Sequence, residues 1–363
     1  MAKHIAFFVS SFNLGGVERA FVTLANSFVE DGHKVDFIVS LNEGILKDEL
    51  NSNVNIVDLG CSKLRGSFIK VYGYIKKSTA DLLITGPTYP NIIAVICNLV
   101  AFRKFKVVVT QHSYQDVEMD NLGLVGKLAP YLIKMTYNYA DKVVAVSQGV
   151  KTDLIINYGI NPSKIQVTYN AVINDSFFKK SNDSIEESIF SKISSKNFLV
   201  AVGRLEIVKN YPFLIDVYAK MKSEIPNFNY DLVILGDGTE RKNIETQIKE
   251  LGIQEHVHLI GAVSNPLPII KRAKALVHAS FSEAMPLVYV EALALKVPVV
   301  TTMNKGAIEV LNGVKQKIII DSHDQKKFII GVLEILENNN FTDLPNLDKF
   351  HSNIIKESFL SII

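Results

Sequence analysis

Short runs rich in valine, isoleucine and leucine alternate with longer amphipathic segments along nearly all of the 363-residue chain. The buried strands of a parallel sheet give such continuous apolar runs, and the segments between them are typical of covering helices. The alternation breaks at 179–196, a stretch rich in serine, lysine and glutamate that is typical of a surface connection. Two series of similar length therefore predict two doubly wound, Rossmann-like α/β domains that face a common cleft.

The predicted strands lie at 5–9, 35–39, 55–59, 82–85, 107–110, 142–146 and 165–168 in the first series, and at 198–202, 231–235, 257–259, 275–278, 297–301 and 317–320 in the second. The expected boundaries are 1–178 for an N-terminal domain, 179–196 for a linker and 197–344 for a C-terminal domain, with a last helix at about 345–363 packing back on the first domain. Ligands of such folds bind at the carboxyl ends of strands, so candidate functional residues are sought in the loops that follow them.

Composition excludes several classes of protein. With 48% hydrophobic residues and 39 basic against 37 acidic residues, the chain is neither disordered nor a disulfide scaffold, and a net charge of +2 gives no reason to expect nucleic-acid binding. Two cysteines without metal-ligand spacing favour a reducing compartment. The first residues indicate a strand rather than a signal peptide, and the apolar run at 92–102 is too short to span a bilayer. A cytoplasmic protein is expected.

The densest group of candidate residues lies at 280–294, where a strand is followed by a helix. Free N–H groups near Met285 and Leu287, at the start of that helix, predict an anion site. Glu283 and Glu291 lie eight positions apart; because a carboxylate would repel the anion, both are expected to bind uncharged hydroxyl groups. The alternative is that Glu283 is a helix N-terminal charge and Glu291 lies on a solvated face, although the apolar neighbours of Glu291 favour a partly buried acid.

Two further strand-to-helix loops carry candidate ligand-binding residues. Arg204 and Lys209 follow a strand in the second series, and two cations there suit a diphosphate, although most such residues are surface cations. Gly15 and Gly16 follow the first strand and allow close backbone approach to a ligand at a helix N-terminus. The dinucleotide pattern G-x-G-x-x-G is absent there, which disfavours an oxidoreductase.

Two polar residues end strands of the first series. His112 could donate a hydrogen bond or transfer a proton near neutral pH, or it could be an ordinary loop residue. Asn170 could simply cap the next turn. The phosphate-loop, zinc-protease, dithiol and serine-hydrolase motifs are absent. Glu118 and Asp120 are read as part of a solvated loop, so no metal is expected.

Taken together, these residues resemble glycosyltransferase family 4, which comprises retaining, nucleotide-sugar-dependent enzymes with two facing Rossmann-like domains (the GT-B fold). The resemblance covers nearly the whole chain and rests on Gly-Gly-Val-Glu-Arg at 15–19, His112, Val-Ser-x-x-Val at 146–150, Gly203-Arg204 with Lys209-Asn210, Gly236-Asp237-Gly238, and Glu283 separated by seven residues from Glu291. It implies that Arg204 and Lys209 hold the diphosphate and stabilise the departing nucleoside diphosphate. It also implies that Glu283 contacts the donor sugar and Glu291 the ribose.

The same resemblance implies further donor contacts: the backbone at Met285 and Leu287 with the phosphates, the backbone near Val263 with the base, Gly16 at the donor–acceptor junction, and His112 by the sugar C6 hydroxyl or the reaction centre. Ala284 stands where many relatives have glycine, so donor choice could differ. Gly15 and Asn170 would lie on the acceptor side, although the usual Pro-Asn-Gly-Val is Tyr-Asn-Ala-Val here, at 169–172. Retention in the family is often described as front-face attack assisted by the leaving phosphate. It implies no side-chain nucleophile, metal or other cofactor.

A basic segment indicates a possible partner. Between 63 and 106, eight lysine and arginine residues stand against Asp81 alone, with interleaved aromatic residues. This composition could rest on an anionic membrane, with apolar contact added by 123–134, or it could be an ordinary solvated face. The sequence thus predicts a metal-independent, retaining glycosyltransferase that uses a UDP- or GDP-sugar and a glycan or lipid-linked glycan acceptor in surface polysaccharide synthesis. The alternatives are a sugar-nucleotide 2-epimerase or phosphorylase of the same fold, or a non-catalytic two-domain binding protein.

Overall fold

The computed structural model describes residues 1–13, 15–62, 66–114, 123–193, 197–315, 317–337 and 345–363, with backbone alone for 123–128. The chain divides into two compact units. The first comprises Met1–Asn174 together with Asp348–Ile363, and the second comprises Asp175–Leu347. Each unit is built around one parallel sheet with helices between successive strands, which is the Rossmann-like architecture that the alternating pattern predicts.

The first unit has a seven-stranded parallel sheet in the order β3-β2-β1-β4-β5-β6-β7. Its strands are β1 (His4–Val9), β2 (Lys34–Val39), β3 (Asn55–Asp58), β4 (Leu82–Thr85), β5 (Lys106–Gln111), β6 (Lys142–Ala145) and β7 (Ile165–Val167). Its first helices are α1 (Gly16–Glu30), α2 (Ser67–Lys77), α3 (Thr88–Val100), α4 (Gly123–Tyr137) and α5 (Gln148–Ile156).

The core of the first unit forms around β1, in which every residue is buried because helices cover both faces of the sheet. Phe7 on this strand stacks on Phe37 of β2 and meets Phe21 of α1 edge-on, with ring centroids 5.7 and 5.4 Å apart. Phe21, Leu24 and Phe28 recur at helical spacing, so α1 turns one apolar face to the sheet. The Gly15–Gly16 segment is thereby fixed at the carboxyl end of β1.

The second unit has a six-stranded parallel sheet in the order β10-β9-β8-β11-β12-β13. Its strands are β8 (Asn197–Val202), β9 (Tyr230–Leu235), β10 (Val257–Gly261), β11 (Ala275–His278), β12 (Val299–Thr302) and β13 (Lys317–Ile320). Its helices are α6 (Phe177–Lys180), α7 (Glu187–Ile193), α8 (Tyr211–Glu224), α9 (Arg241–Glu250), α10 (Leu267–Arg272), α11 (Leu287–Ala294), α12 (Lys305–Val310) and α13 (Gln325–Glu337).

Each sheet has a point at which the strand order reverses. In the first unit the order turns between β1 and β4, and in the second it turns between β8 and β11. In each sheet, the loops that follow the two strands at the reversal lead away in opposite directions. They leave a crevice at the carboxyl edge, where doubly wound folds bind ligands. The predicted Arg204–Lys209 and Ser280–Glu283 loops follow β8 and β11 respectively, so topology alone brings them together.

The segment at 179–196, predicted as a linker, lies within the second unit. Ile189 and Ile193 of α7 are buried, and the Asn265 side chain donates a hydrogen bond of 2.8 Å to the Lys180 carbonyl. The polar composition that suggested a linker belongs to the exposed side of α7, whereas its few apolar residues dock on the unit. The units meet at Asn174 and Asp175 rather than after 178. Residues 194–196 and 344 lie outside the described residues.

The end of the chain returns to the first unit. The Ser352 N–H donates to the Ile173 carbonyl at 2.7 Å, and the last helix, α14 (Ser352–Leu360), packs on α1. The buried Lys356 ammonium contacts the Ser27 carbonyl and the Asp31 carboxylate. None of the helices in the described part of the chain combines the length and apolar character that crossing a bilayer requires.

Candidate functional site

The loops after β8 and β11 are joined by both backbone and side-chain contacts. The Phe281 N–H donates to the Val208 carbonyl at 2.9 Å, and the Lys209 ammonium lies 2.5 Å from Glu283 Oε1. The two side chains are only 21% and 11% exposed, so the ion pair is largely shielded from water. The structure thus brings together two of the residues to which the sequence assigned donor binding.

Glu283 is held in its charged form. Burial alone would raise the pKa of this carboxyl, but the Lys209 ammonium, His278 and a hydrogen bond from Ser280 together lower it below its usual value. An ionised carboxylate beside a cation presents strong hydrogen-bond acceptors. It is therefore suited to sugar hydroxyls and not to a phosphate.

Beneath Glu283 lies a buried polar network that the sequence analysis missed. His278 ends β11, with Nε2 3.6 Å from Glu283 Oε1 and Nδ1 2.9 Å from the Tyr289 hydroxyl. That hydroxyl lies 2.7 Å from Thr301 Oγ1 at the end of β12. A histidine that ends a buried strand two residues before the 280–294 motif was the only signal for it in the sequence.

The helix after the motif places the second glutamate. Helix α11 begins at Leu287, with Pro286 as its N-cap, and proline has no side-chain acceptor for the free N–H groups there. Met285 and Ala284 are buried just before it. Glu291, one turn into α11, is 6% exposed, so the solvated-face alternative is wrong for this residue and the partly buried acid is the correct description.

Three glycine-containing loops pack tightly at the neighbouring strand ends. The Gly236 N–H donates to the Gly261 carbonyl at 2.7 Å, and a Cβ on Gly236, which has a φ of +146°, would collide with the Gly203 carbonyl. These contacts give the glycines a packing role between β8, β9 and β10. Arg204 is exposed and Val263 half-buried on these loops, so both predicted donor-binding residues lie at the same edge of the sheet as Lys209 and Glu283.

The first unit holds a different group of residues at its strand ends. Thr110 donates from its hydroxyl to the Thr85 carbonyl at 2.8 Å, and the same oxygen lies 2.7 Å from His112 Nε2. Because that hydroxyl proton is already used, His112 donates from Nε2 to Thr110. Burial lowers the pKa of His112 to about 4, although a hydrogen bond with Asn170 opposes this shift. His112 is therefore neutral at pH 7.

A small cavity adjoins His112. It has a volume of about 20 Å³, enough for about one water molecule, and it is lined in part by Phe21, His112, Asn170, Ile355 and Phe359. The returning C-terminal helix thus completes the surroundings of the predicted catalytic histidine. Its lining is mainly apolar, in contrast to the ion pair of the second unit.

The glycine pair lies at the start of α1. Gly15 is the N-cap, in an extended conformation, and Gly16 is the first helical residue. A Cβ on Gly15 would collide with the Glu18 carboxylate, so the glycine lets that side chain fold back over the helix N-terminus. Leu14, which precedes the pair, lies outside the described residues, as do Glu118 and Asp120. Within the described ranges no cluster of three or more metal-binding side chains is found.

Comparisons with known proteins agree with the fold of the two units. Residues 14–175 match the model of Glycosyltransferase Family 4, and residues 183–356 match that of Glycosyl transferases group 1. The crystal structure of Anabaena HepE in complex with UDP and glucose superposes with a TM-score of 0.79 at 19% identity, covering 99% of this chain and 98% of that one.

Two relatives come from Campylobacter jejuni. The N-acetylgalactosamine-N,N'-diacetylbacillosaminyl-diphospho-undecaprenol 4-alpha-N-acetylgalactosaminyltransferase is 28% identical over 69% of this chain and 65% of its own length. The GalNAc-alpha-(1->4)-GalNAc-alpha-(1->3)-diNAcBac-PP-undecaprenol alpha-1,4-N-acetyl-D-galactosaminyltransferase is 25% identical over 99% of this chain and 98% of its own length. With two adjoining family models spanning nearly the whole sequence and two Rossmann-like units in the structure, the chain belongs to the group 1 glycosyltransferases of family 4 and has the GT-B fold.

Proposed function

We propose that this chain is a retaining glycosyltransferase that moves a sugar from a UDP- or GDP-linked donor to a lipid-linked glycan in surface polysaccharide synthesis. The observation that carries the proposal is the shielded Lys209–Glu283 pair at the strand-order reversal of the second unit, with a Lys209–Glu283 separation of 2.5 Å. The curated relatives act on glycans attached to diphospho-undecaprenol. They support the choice of acceptor class.

The donor-binding roles follow from charge. Lys209 and the exposed Arg204 would hold the diphosphate, and the N–H groups at Met285 and Leu287 would add the partial positive charge of a helix N-terminus. Glu283 and the buried Glu291 would instead accept hydrogen bonds, from the donor sugar and the ribose respectively. The cations would thus bind the diphosphate, and the acids would bind hydroxyl groups of the sugar and the ribose.

The proposed reaction needs no covalent enzyme intermediate. The acceptor hydroxyl oxygen attacks the anomeric carbon, the bond from that carbon to the β-phosphate oxygen breaks, and the hydroxyl proton passes to the leaving phosphate. Attack from the face that the phosphate leaves retains the anomeric configuration. Negative charge grows on the β-phosphate, where Lys209 and Arg204 would stabilise it without a metal ion. In the first unit, neutral His112 with Asn170 beside it would bind a hydroxyl of the sugar or the acceptor.

Supplying each substrate in turn tests this proposal. The purified chain, given UDP- and GDP-linked sugars together with a polyprenyl-diphosphate-linked glycan, should release nucleoside diphosphate and form an α-linked product from an α-linked donor. Chelation of divalent cations should leave the rate unchanged. Equal turnover of a nucleotide sugar without any acceptor would instead indicate an epimerase, and a β-linked product would contradict retention.

An anionic membrane at the cytoplasmic face of the inner membrane is the proposed second partner, reached through the basic region 63–106. Ile69 on α2 and Phe102 in the loop after α3 have 78% and 90% of their surface exposed. The Arg103 side chain donates to the Tyr139 carbonyl at 2.9 Å and the Lys104 side chain to the Lys76 carbonyl at 2.7 Å, so the loop after α3 bridges the ends of α2 and α4. Lys63 and Arg65 lie outside the described residues.

Vesicle flotation tests this second partner. Anionic vesicles at low salt should carry the protein, neutral vesicles should not, and Phe102→Ser should weaken the binding because an aromatic side chain no longer enters the interface. Flotation that is independent of lipid charge, or absent altogether, would contradict the membrane proposal while leaving the donor site untouched.

A further inference from the structure

His278 stands between two kinds of hydrogen-bonding partner, and the proposed transfer reaction does not use it. It is 2% exposed at the end of β11. On one side, Nδ1 lies 2.9 Å from the Tyr289 hydroxyl. On the other, Nε2 lies 3.4 Å from Ser280 Oγ and 3.6 Å from Glu283 Oε1. The imidazole therefore separates an uncharged hydroxyl network from an ionised carboxylate.

The positions of the protons follow from these distances. A neutral imidazole carries one N–H, on either nitrogen. With the proton on Nδ1, the lone pair of Nε2 would point towards the negative Glu283 oxygen. With the proton on Nε2, Nδ1 accepts from the Tyr289 hydroxyl, and Nε2 donates to Ser280 Oγ. The same N–H faces Glu283 electrostatically, at a distance too long for a hydrogen bond. The carboxylate therefore selects the Nε2–H form, in which the Thr301 hydroxyl, 3.1 Å from the Thr302 carbonyl, donates instead to the Tyr289 oxygen at 2.7 Å. Ser280 can then accept from His278 and donate its own proton to Glu283.

The imidazole also stays uncharged. Burial lowers the pKa of His278 to about 4, Lys209 lowers it further, and Glu283 acts in the opposite direction. The other titratable groups near Glu283 are Lys209, which is its cation, and the Tyr211 and Tyr289 phenols, whose pKa burial raises. His278 thus supplies a neutral donor and leaves the single positive charge of the pair to Lys209.

We propose that His278 is a positioning residue, which orients the Glu283 carboxylate through Nε2–H and Ser280 so that it meets the hydroxyls of the donor sugar. The role of Glu283 in this statement rests on the proposed function. The orientation itself is a property of the protein without its donor. The two can therefore be tested separately.

Nitrogen-15 NMR of histidine-labelled protein tests the orientation directly. His278, assigned by the signal that disappears in His278→Gln, should show the Nε2–H tautomer and should remain neutral from pH 8 down to about 5, since a buried histidine resists protonation. The Nδ1–H tautomer, or an imidazolium at pH 7, would overturn the proposal. Neither result depends on which donor the enzyme uses.

Three substitutions test the consequence for the donor. The side-chain amide of glutamine can replace Nε2–H, the shorter amide of asparagine reaches only the Nδ1 position, and leucine supplies no donor. Release of nucleoside diphosphate from the UDP- or GDP-sugar that the wild-type protein turns over, with acceptor present, should stay within about threefold of wild type in His278→Gln. It should fall by about tenfold or more in His278→Asn and His278→Leu, because Ser280 loses the donor that directs its own hydrogen bond to the charged Glu283 carboxylate.

The pH profile separates positioning from a merely structural role. Removing a donor from Glu283 raises the pKa of that carboxyl, so the acidic limb of kcat/KM should move to higher pH in His278→Asn and His278→Leu but not in His278→Gln. Equal losses in all three variants, with an unmoved acidic limb, would overturn the proposal. Tyr289→Phe, compared with Tyr218→Phe, controls for misfolding. Both phenols are buried, but the Tyr218 hydroxyl donates to the Tyr230 carbonyl at 2.8 Å, outside this network. Only Tyr289→Phe should change the tautomer signal, and an unchanged signal would contradict the network.

Discussion

The two units place a buried histidine at the carboxyl edge of a parallel sheet, but they surround it differently. His112 donates to the uncharged Thr110 hydroxyl beside a small, mainly apolar cavity. His278 lies 3.6 Å from the ionised Glu283, which is itself paired with Lys209. The fold supplies the same kind of position twice. The residues in the loops decide whether charged groups lie beside the histidine.

This difference favours different binding roles for the two edges. The second unit concentrates fixed charge, which suits its proposed role with a diphosphate and its leaving-group charge. The first unit offers neutral hydrogen bonding in mainly apolar surroundings, which suits hydroxyl groups of a sugar or an acceptor. In both units burial keeps the histidine neutral, since it lowers the pKa of each to about 4.

The largest expected effect comes from removing one partner of the charged pair. Lys209→Met leaves the Glu283 carboxylate shielded from water without its cation. The free energy of unfolding should therefore fall by about 3 kcal/mol, the lower end for a broken buried pair because these side chains are not fully enclosed. Urea unfolding gives the value. Nucleoside diphosphate binding, measured by calorimetry, should be lost as well.

The double variant Lys209→Met/Glu283→Gln is the control for this prediction. With both charges gone, no unpaired charge remains, so the double variant should be more stable than Lys209→Met alone. If the losses of unfolding free energy in Lys209→Met and in Glu283→Gln alone simply add in the double variant, the pair is not coupled. The charged character of the second edge would then be incidental to stability.

The second prediction concerns acid, where the two edges should behave alike. Each histidine is neutral in the folded state down to about pH 4, whereas the unfolded chain takes up a proton below about 6.5. The unfolded state thus binds more protons in this window. The contribution of each neutral histidine to the free energy of unfolding is complete above pH 6.5. It decreases as pH drops towards 4, by up to about 1.4 kcal/mol per pH unit for each histidine.

Urea unfolding at pH 7, 6 and 5 measures these slopes. His112→Asn and His278→Gln should each flatten the acid slope by about one proton, and all three proteins should show the same pH dependence above pH 7. Identical slopes below pH 6.5 in wild type and variants would show that neither histidine resists protonation. The parallel between the two edges would then fail.

The third prediction uses an exposed cation. Arg204→Ala should weaken UDP or GDP binding by about 10- to 100-fold, the range for a hydrogen bond to a charged group, and leave the free energy of unfolding of the unliganded protein nearly unchanged. Arg103→Ala, an exposed arginine of the first unit, is the matched control and should bind nucleotide like wild type. Equal loss in both variants would place the diphosphate somewhere other than the second edge.

The fold and the charged edge follow from sequence for definite physical reasons. Each of the thirteen strands in the described ranges overlaps a predicted apolar run, because strands covered on both faces must be apolar throughout. Arg204, Lys209 and Glu283 were identifiable because they follow strands that end at one edge. Their meeting was not, since it depends on β8 and β11 being neighbours despite two intervening strands in the chain.

The histidine networks could not be predicted for a related reason. His278, Tyr289 and Thr301 come from a strand, a helix and the next strand, and their contacts of 2.7–2.9 Å depend on the register between these elements. Similarly, the few apolar residues of α7 were outweighed in the sequence by polar neighbours, so a docked helix was predicted as a linker. Local composition carries no information about which partner surface a segment meets.

The fourth prediction concerns one glycine at each edge. The Gly306 N–H donates to the Glu283 carbonyl at 2.9 Å, and a Cβ there would lie 2.5 Å from the same oxygen. A Cβ on Gly86 would lie 2.6 Å from Thr110 Oγ1, the partner of His112. Either alanine must displace its neighbour, so each should lower the free energy of unfolding by about 1–3 kcal/mol.

Only one of the two substitutions should affect binding of the donor. Gly306→Ala shifts the Glu283 backbone and should weaken binding of a nucleotide sugar, whereas Gly86→Ala should leave the affinity for UDP or GDP unchanged and alter only turnover. Gly73→Ala in α2, where a Cβ meets nothing within 4 Å, is the control and should be neutral or slightly stabilising. Calorimetric titration with nucleotide and nucleotide sugar separates the cases. If Gly86→Ala weakens nucleotide binding as much as Gly306→Ala, the uncharged edge also determines diphosphate affinity, and the proposed division between the edges is wrong.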